Sequence, residues 1–188
     1  MTSVKMKRWA VAAAAGLLLV VLADQDGEGH VIPAQRSILV QMEEDTVAIL
    51  VTWTSSNTGS GEQLFAEAIA GRKGKRAEAS LRAFATARAL GPVEIRVDGK
   101  PLRPAKIETK VILDPNHTGR LGAAVLVTAR LPEKGRQLAV HVSPGCGRTR
   151  LAWIDRSHGA VKAANPAKPG TWSTLSELSL IWNDSGTD

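Results

Sequence analysis

Apolar and polar residues alternate in two neighbouring stretches, RSILVQM and TVAILVTWT, which flank the acidic EED early in the chain. The apolar residues at every second position are Ile38, Val40, Met42, Val47, Ile49, Val51 and Trp53. A period of two places such residues on one face of a strand. Residues 36–54 therefore predict a β-hairpin with one buried face.

The period changes after the turn-forming stretch SSNTGSG, and residues 61–90 are typical of helices. Apolar residues recur there at three- and four-residue spacing: Leu64, Phe65, Ala68, Ile69, Leu81, Phe84, Ala85 and Leu90. The basic stretch GRKGKR interrupts this pattern, so two helices, or one broken helix, are predicted before Gly91 and Pro92. We interpret GRKGKR as a solvated turn, with contact to phosphates or anionic lipid headgroups as the alternative.

From Val93 onward the pattern again predicts strands, in VEIRVDG, KPLRPAKIETKVILD, RLGAAVLVTARLP, GRQLAVHVSP, TRLAWID and STLSELSLIW. Asp98 and Gly99 predict a tight turn, and PEKG predicts a hairpin between the two stretches that it joins. Residues 156–172 predict a long surface loop. About eight strands with a helical insertion between the second and third favour a mainly β fold, an immunoglobulin-like antiparallel β-sandwich.

The first residues have the pattern of an export signal. The basic MTSVKMKR precedes fifteen apolar or small residues at 9–23, a run shorter than the roughly 20 residues that span a membrane. Val21 and Ala23 suit a cleavage site, which predicts Asp24 as the first residue of the processed chain. The alternative is an uncleaved segment that anchors the chain in the membrane through residues 9–23. Either way, we expect the remainder in the periplasm or another extracytoplasmic compartment.

The predicted domain organisation follows from these patterns. Its parts are a signal peptide at 1–23, an N-terminal tail at 24–35, one domain at 36–183 with the helical insertion at 61–90, and a tail at 184–188. The apolar content of 44% is enough to bury a core. The net charge of +6 falls to about half without the three basic residues of the signal, so a nucleic-acid partner is not predicted.

The only cysteine, Cys146, excludes an intramolecular disulfide and a thiolate zinc cluster, and we expect it in a loop or at a strand end. The chain has four histidines outside any local metal-binding motif: His30, His117, His141 and His158. His141 is predicted to be half-exposed on a strand. Together the histidines offer an alternative copper or nickel site, since imidazole suits both ions.

The most specific metal-binding hypothesis concerns His30. Cleavage after Gly29 would make His30 the first residue, so that its amine and ring could chelate copper together. Cleavage after Ala23 is better placed relative to the apolar run, and it leaves His30 in a linker.

Motifs for catalysis are missing from the sequence. The chain has neither the G-x-S-x-G motif of hydrolases nor a P-loop. Trp53 and Trp153 alternate with core positions, which predicts packing rather than ligand binding. We therefore expect a protein that is not an enzyme.

The order of several segments resembles the extracytoplasmic β-sandwich region that precedes the membrane helices of HupE/UreJ-like proteins. These segments are GHVIPAQRSILVQMEEDTVAILVTW, LRAFATARAL, VEIRVDGKPLRP and LDPNHTGR, within residues 30–150. The family is associated with nickel or cobalt uptake. This chain departs from it because only NDSGTD follows Trp182 and the helical transport domain is missing. The resemblance implies a freestanding envelope module, accessory to a separate membrane protein, and not transport by this chain.

Two functions from different classes fit these observations. The first is an exported module that binds another envelope or membrane protein through a sheet edge or the helical insertion. The alternative is a periplasmic protein that binds or delivers copper or nickel through its histidines.

Overall fold

The computed structural model describes most of the chain after the first 32 residues. The described residues are 33–43, 45–56, 74–113, 120–132, 137–145, 147–157, 161–164 and 167–182. All of them belong to one compact unit, Ile32–Asp188.

The described residues form a mainly β structure with one helix. The strands are β1 (Gln35–Met42), β2 (Thr46–Thr54), β3 (Val93–Val97), β4 (Lys100–Pro101), β5 (Lys106–Leu113), β6 (Leu121–Arg130), β7 (Gln137–Val142), β8 (Arg148–Asp155), β9 (Val161–Ala163) and β10 (Glu177–Trp182), and the helix is α1 (Lys75–Leu90). About eight strands were expected, and the described part holds ten, of which β4 and β9 are very short.

The strands form two five-stranded sheets. Sheet A has the order β5-β6-β2-β1-β8, and sheet B has the order β4-β3-β7-β10-β9. Neighbouring strands run antiparallel except β1 and β8, which are parallel, with Ile38 opposite Leu151. Two strands that are roughly 110 residues apart in the sequence therefore lie side by side in sheet A.

The predicted hairpin at 36–54 is confirmed. Strands β1 and β2 pair antiparallel from Gln35 opposite Thr54 to Met42 opposite Val47. The alternating apolar residues of both strands are buried, as the period of two predicted. The turn at Asp98 and Gly99 is also confirmed, because both residues have the positive φ angles that a two-residue hairpin turn requires.

The predicted hairpin around PEKG is wrong. Strand β6 lies in sheet A between β2 and β5, whereas β7 lies in sheet B between β3 and β10. After β6 the backbone N–H of Leu131 donates to Asp45 O, at the turn between β1 and β2. Turn-forming residues predict that a chain changes direction, but they do not determine which strands pair.

Helix α1 lies between β2 and β3 in the sequence, where the helical insertion was predicted. It starts at Lys75, so the last two residues of GRKGKR belong to its first turn, and residues 57–73 lie outside the described residues. Ala85 and Ala89 are fully buried, and the helix contacts β2, β3, β5 and β6. In the part of the chain that the structure describes, no helix is long and apolar enough to span a membrane.

A single cluster of buried side chains joins the two sheets and the helix. Its members include Ile38 and Val51 from sheet A, Leu138 and Leu180 from sheet B, and Ala85 from α1. Trp53 and Trp153 are each only 3% exposed within this core, which confirms their predicted packing role.

Candidate functional site

The structure places one of the predicted metal ligands, His141, and the other three lie outside the described residues. His141 is exposed on the outward face of β7, directly between Glu94 on β3 and Glu177 on β10. Among the described residues, no group of three or more His, Cys, Asp or Glu side chains could hold a metal ion. A copper or nickel site that uses His30, His117 or His158 stays a prediction, and Cys146 likewise lies outside the described residues.

The outer edges of the two sheets differ in how they are protected. In sheet B the edge strands β4 and β9 have only two and three residues. In sheet A, Leu151 of β8 exchanges two backbone hydrogen bonds with Ser173, at 2.8 and 2.9 Å, and Gly170 N–H donates to Trp153 O at 2.8 Å. Residues 170–173 therefore cover the outer side of β8. Short or covered edges are the usual protection against unwanted strand pairing.

The stretch that covers β8 corrects part of the prediction for residues 156–172. These residues were expected to form a surface loop, but they contain β9, which pairs with β10. The indole N–H of Trp153 donates to Ala167 O at 3.1 Å and fixes the stretch against the sheet. The strand has only three residues, and turn-forming residues surround it, so the sequence pattern did not predict it.

Strand β5 is the long edge that these features leave open. It has eight residues and pairs with β6, and within the described part of the chain no strand lies on its other side. Ile107, the second residue of this strand, is 47% exposed and is the most exposed large apolar residue among the described residues. Among the described residues, the outer side of β5 therefore has no strand partner, and it lies beside an exposed apolar side chain.

The two faces of β5 carry different chemistry. Ile107, Thr109 and Val111 lie opposite the core residues Val127, Val125 and Ala123 of β6, so they share the core-facing side. Lys106, Glu108 and Lys110 lie on the other side and are exposed. Lys106 and Glu108 form an ion pair along the strand. The open edge therefore has two apolar side chains on either side of Thr109 on one face and an alternating basic and acidic row on the other.

Helix α1 lies beside this edge. The hydroxyl groups of Thr86 on the helix and Thr109 on β5 are 2.6 Å apart and hydrogen bonded. Ala79 and Ala83 lie one or two turns before Thr86 on the same side of the helix, and both are exposed. The helix therefore presents these small side chains, together with the exposed Arg82 four residues before Thr86, next to the open strand.

A buried arginine holds the end of the helix on sheet A. Arg36 of β1 donates from Nε to Ala89 O at 3.1 Å and from Nη2 to Arg88 O at 2.9 Å. The last carbonyl groups of a helix lack partners within the helix, and a cation there also interacts favourably with the helix dipole. Arg36 thereby ties α1, which also contacts β5, to strand β1 on the far side of sheet A.

Sequence patterns did not single out Arg36 or Ile107. The burial of Arg36 could have been inferred, because a spacing of two residues places it on the same face of β1 as Ile38, Val40 and Met42. No comparable signal marks Ile107, because alternation along β5 does not show which strands lie beside it. Whether a strand is central or at an edge depends on pairing with distant parts of the chain.

The geometry offers a surface for backbone pairing: an eight-residue strand that has no strand partner on its outer side within the described residues, an exposed isoleucine and alternating charges. No protein-family model matches the chain, and no curated protein is significantly similar to it.

Proposed function

We propose that this chain is an exported, non-enzymatic module of the cell envelope that binds protein, as an accessory subunit of an envelope or membrane assembly. We assign the fold, as a part of the same proposal, to the immunoglobulin-like antiparallel β-sandwiches. The buried cluster supports that assignment because it draws side chains from one face of each sheet.

The open edge of β5 carries the functional proposal. An extended segment of a partner can add to such an edge as a further strand. Backbone hydrogen bonds then provide affinity, and the alternating side chains provide specificity. The other long edge, β8, is covered by residues 170–173, so β5 is the best candidate among the described strands.

Sequence features support the cellular setting. The basic and apolar segments at 1–23 have the pattern of an export signal. The resemblance of residues 30–150 to the extracytoplasmic region of HupE/UreJ-like proteins also favours an envelope location and a membrane-protein assembly.

The proposal is tested by site-specific photo-crosslinking of the full chain, expressed with its own N-terminal segment in a Gram-negative host. A benzophenone amino acid replaces Lys110 on β5, and in the control it replaces Lys162 on β9, which is exposed on sheet B. We expect one dominant protein adduct at position 110 and none at position 162. Adding Glu108→Lys to the first variant should abolish the adduct, because it changes the charge pattern of the same edge.

Two results would count against this function. If position 110 gives no protein adduct, or one that Glu108→Lys leaves unchanged, binding through β5 is wrong. If the native mass of the exported chain also retains copper or nickel, the histidine-based metal protein becomes the better explanation.

A further inference from the structure

We propose that the protein bound at the β5 edge is a second copy of this chain, with the two β5 strands antiparallel about a two-fold axis. The inference rests on the proposed function, because both require β5 to bind protein, and it names the partner. An edge strand that pairs with itself forms a closed, symmetric interface. The two copies of sheet A would then form one continuous sheet.

The symmetry limits the register of this pair. A two-fold axis perpendicular to the sheet keeps both helices on one side, and residues directly opposite each other then share a face. With at least five residues of overlap, the axis passes beside Glu108, Thr109, Lys110 or Val111. These four registers differ in the charges that they bring together.

Charge selects one of the four registers. Centring on Glu108 places Glu108 opposite itself, and centring on Lys110 places Lys110 opposite itself, so both registers oppose like charges. Centring on Val111 brings no opposite charges together. Centring on Thr109 places Glu108 of each copy opposite Lys110 of the other, which forms two complementary pairs. Opposite charges stabilise cross-strand pairs, and like charges destabilise them.

The same register covers the exposed apolar side chain. With Thr109 at the centre, Ile107 lies opposite Val111 of the second copy on the core-facing side. Ile107 is 47% exposed in the single chain, and its new neighbour is apolar. Charge pairing on one face and apolar contact on the other therefore favour the same register.

Helix α1 is compatible with this pairing. It contacts β5, β6 and β2 of sheet A, and Arg36 of β1 holds its last turn, so it crosses the sheet over several strands up to the β5 edge. Because the two-fold axis keeps both helices on one side of the joined sheet, the parts of the helices nearest β5 would face each other across the new strand pair. The exposed Ala79 and Ala83 leave room for this approach. Helix contact enlarges an interface that a strand pair alone would leave small.

The test uses sedimentation equilibrium of the purified full chain with three variants of β5. We expect the unaltered chain to be a dimer at micromolar concentration. Glu108→Lys and Lys110→Glu should each weaken the dimer at least about tenfold, because each replaces two complementary pairs with two repulsive ones. The double variant should restore the dimer, because it only exchanges the positions of the two charges.

Mixing the two single variants gives the sharpest result. One copy then carries Lys at both positions and the other carries Glu at both, so an equimolar mixture should form a heterodimer although neither variant dimerises well alone. A variant that had merely unfolded could not do this. As controls, Glu94→Lys on β3 and Lys162→Glu on β9 should leave the dimer intact, since both side chains are exposed on sheet B.

Each failure has a distinct meaning. A monomeric chain that still gives a photo-adduct with another protein at position 110 overturns self-pairing and leaves the proposed function standing. A dimer that the two charge changes do not weaken, or a mixture that does not associate, also overturns self-pairing through β5. Absence of any adduct at position 110 overturns the proposed function as well.

Discussion

Arg36 occupies a core-facing position of β1, on the same face as the buried apolar residues Ile38, Val40 and Met42. It is 3% exposed, and its guanidinium donates to two carbonyl groups in the last turn of α1. Replacing Arg36 with Met keeps the length of the side chain but removes the donors. We expect the free energy of unfolding to fall by about 2–4 kcal/mol, because buried acceptors lose their charged partner. Urea denaturation followed by circular dichroism measures this loss.

Arg96→Met is the matched control for that experiment. Arg96 is exposed on β3 and pairs with Glu94, so its loss should change the free energy of unfolding by no more than about 0.5 kcal/mol. Equal effects of the two substitutions would show that Arg36 does not hold the helix.

Alanine substitutions at Gly145 and Gly147 distinguish the free-energy cost of backbone strain from the cost of a steric clash. Both glycines have positive φ angles, of 82° and 86°. A Cβ at Gly145 would meet no atom within 4 Å, whereas one at Gly147 would lie 2.2 Å from the backbone oxygen of Ala34. We expect Gly145→Ala to cost about 1 kcal/mol and Gly147→Ala at least about 2 kcal/mol more. Thermal melting of the two variants tests this, and equal melting temperatures would contradict the close approach to Ala34.

At the scale of elements, Ser173 protects an edge of sheet A. Ser173→Pro removes the N–H that donates to Leu151 O, whereas Ser173→Ala keeps that bond and loses the longer one from the hydroxyl at 3.2 Å. We expect Ser173→Pro to speed hydrogen exchange at the Leu151 amide by about tenfold or more and to promote aggregation, because β8 becomes an open edge. Ser173→Ala should behave nearly like the unaltered chain. Unchanged exchange in the proline variant would mean that other contacts cover β8.

Local sequence patterns predicted individual strands and turns better than they predicted which strands lie side by side. The β1–β2 hairpin and the turn at Asp98 and Gly99 depend on residues that are adjacent in sequence, and both were predicted. The separation of β6 and β7 into different sheets, and the open side of β5, depend on pairing across the whole chain. Hydrophobic alternation records which face of a strand is buried, but it does not record which strand lies beside it.

At the scale of the molecule, the shared core should make the two sheets unfold together. Ile49 is fully buried, so Ile49→Ala should lower the free energy of unfolding by about 2–5 kcal/mol. Tryptophan fluorescence and far-UV circular dichroism should give the same transition midpoint, because Trp53 and Trp153 lie in the cluster that joins both sheets. The matched control is Ile181→Ala, whose side chain is 39% exposed and should cost less than about 1 kcal/mol. Two separate transitions would show that the sheets are independent.

The parallel pairing of β1 with β8 constrains the order in which the molecule can form. As the chain is synthesised, β1 and β2 can pair early, but the other side of β1 stays open until residues 148–155 have emerged. Closing so long a loop is slow, because its entropic cost precedes the contacts that repay it. A nascent chain in which β5, β6, β2 and β1 have paired therefore exposes two edges of sheet A, β1 and β5. Strand β8 then covers β1, and residues 170–173 cover β8, so that among the described strands of this sheet only β5 stays open.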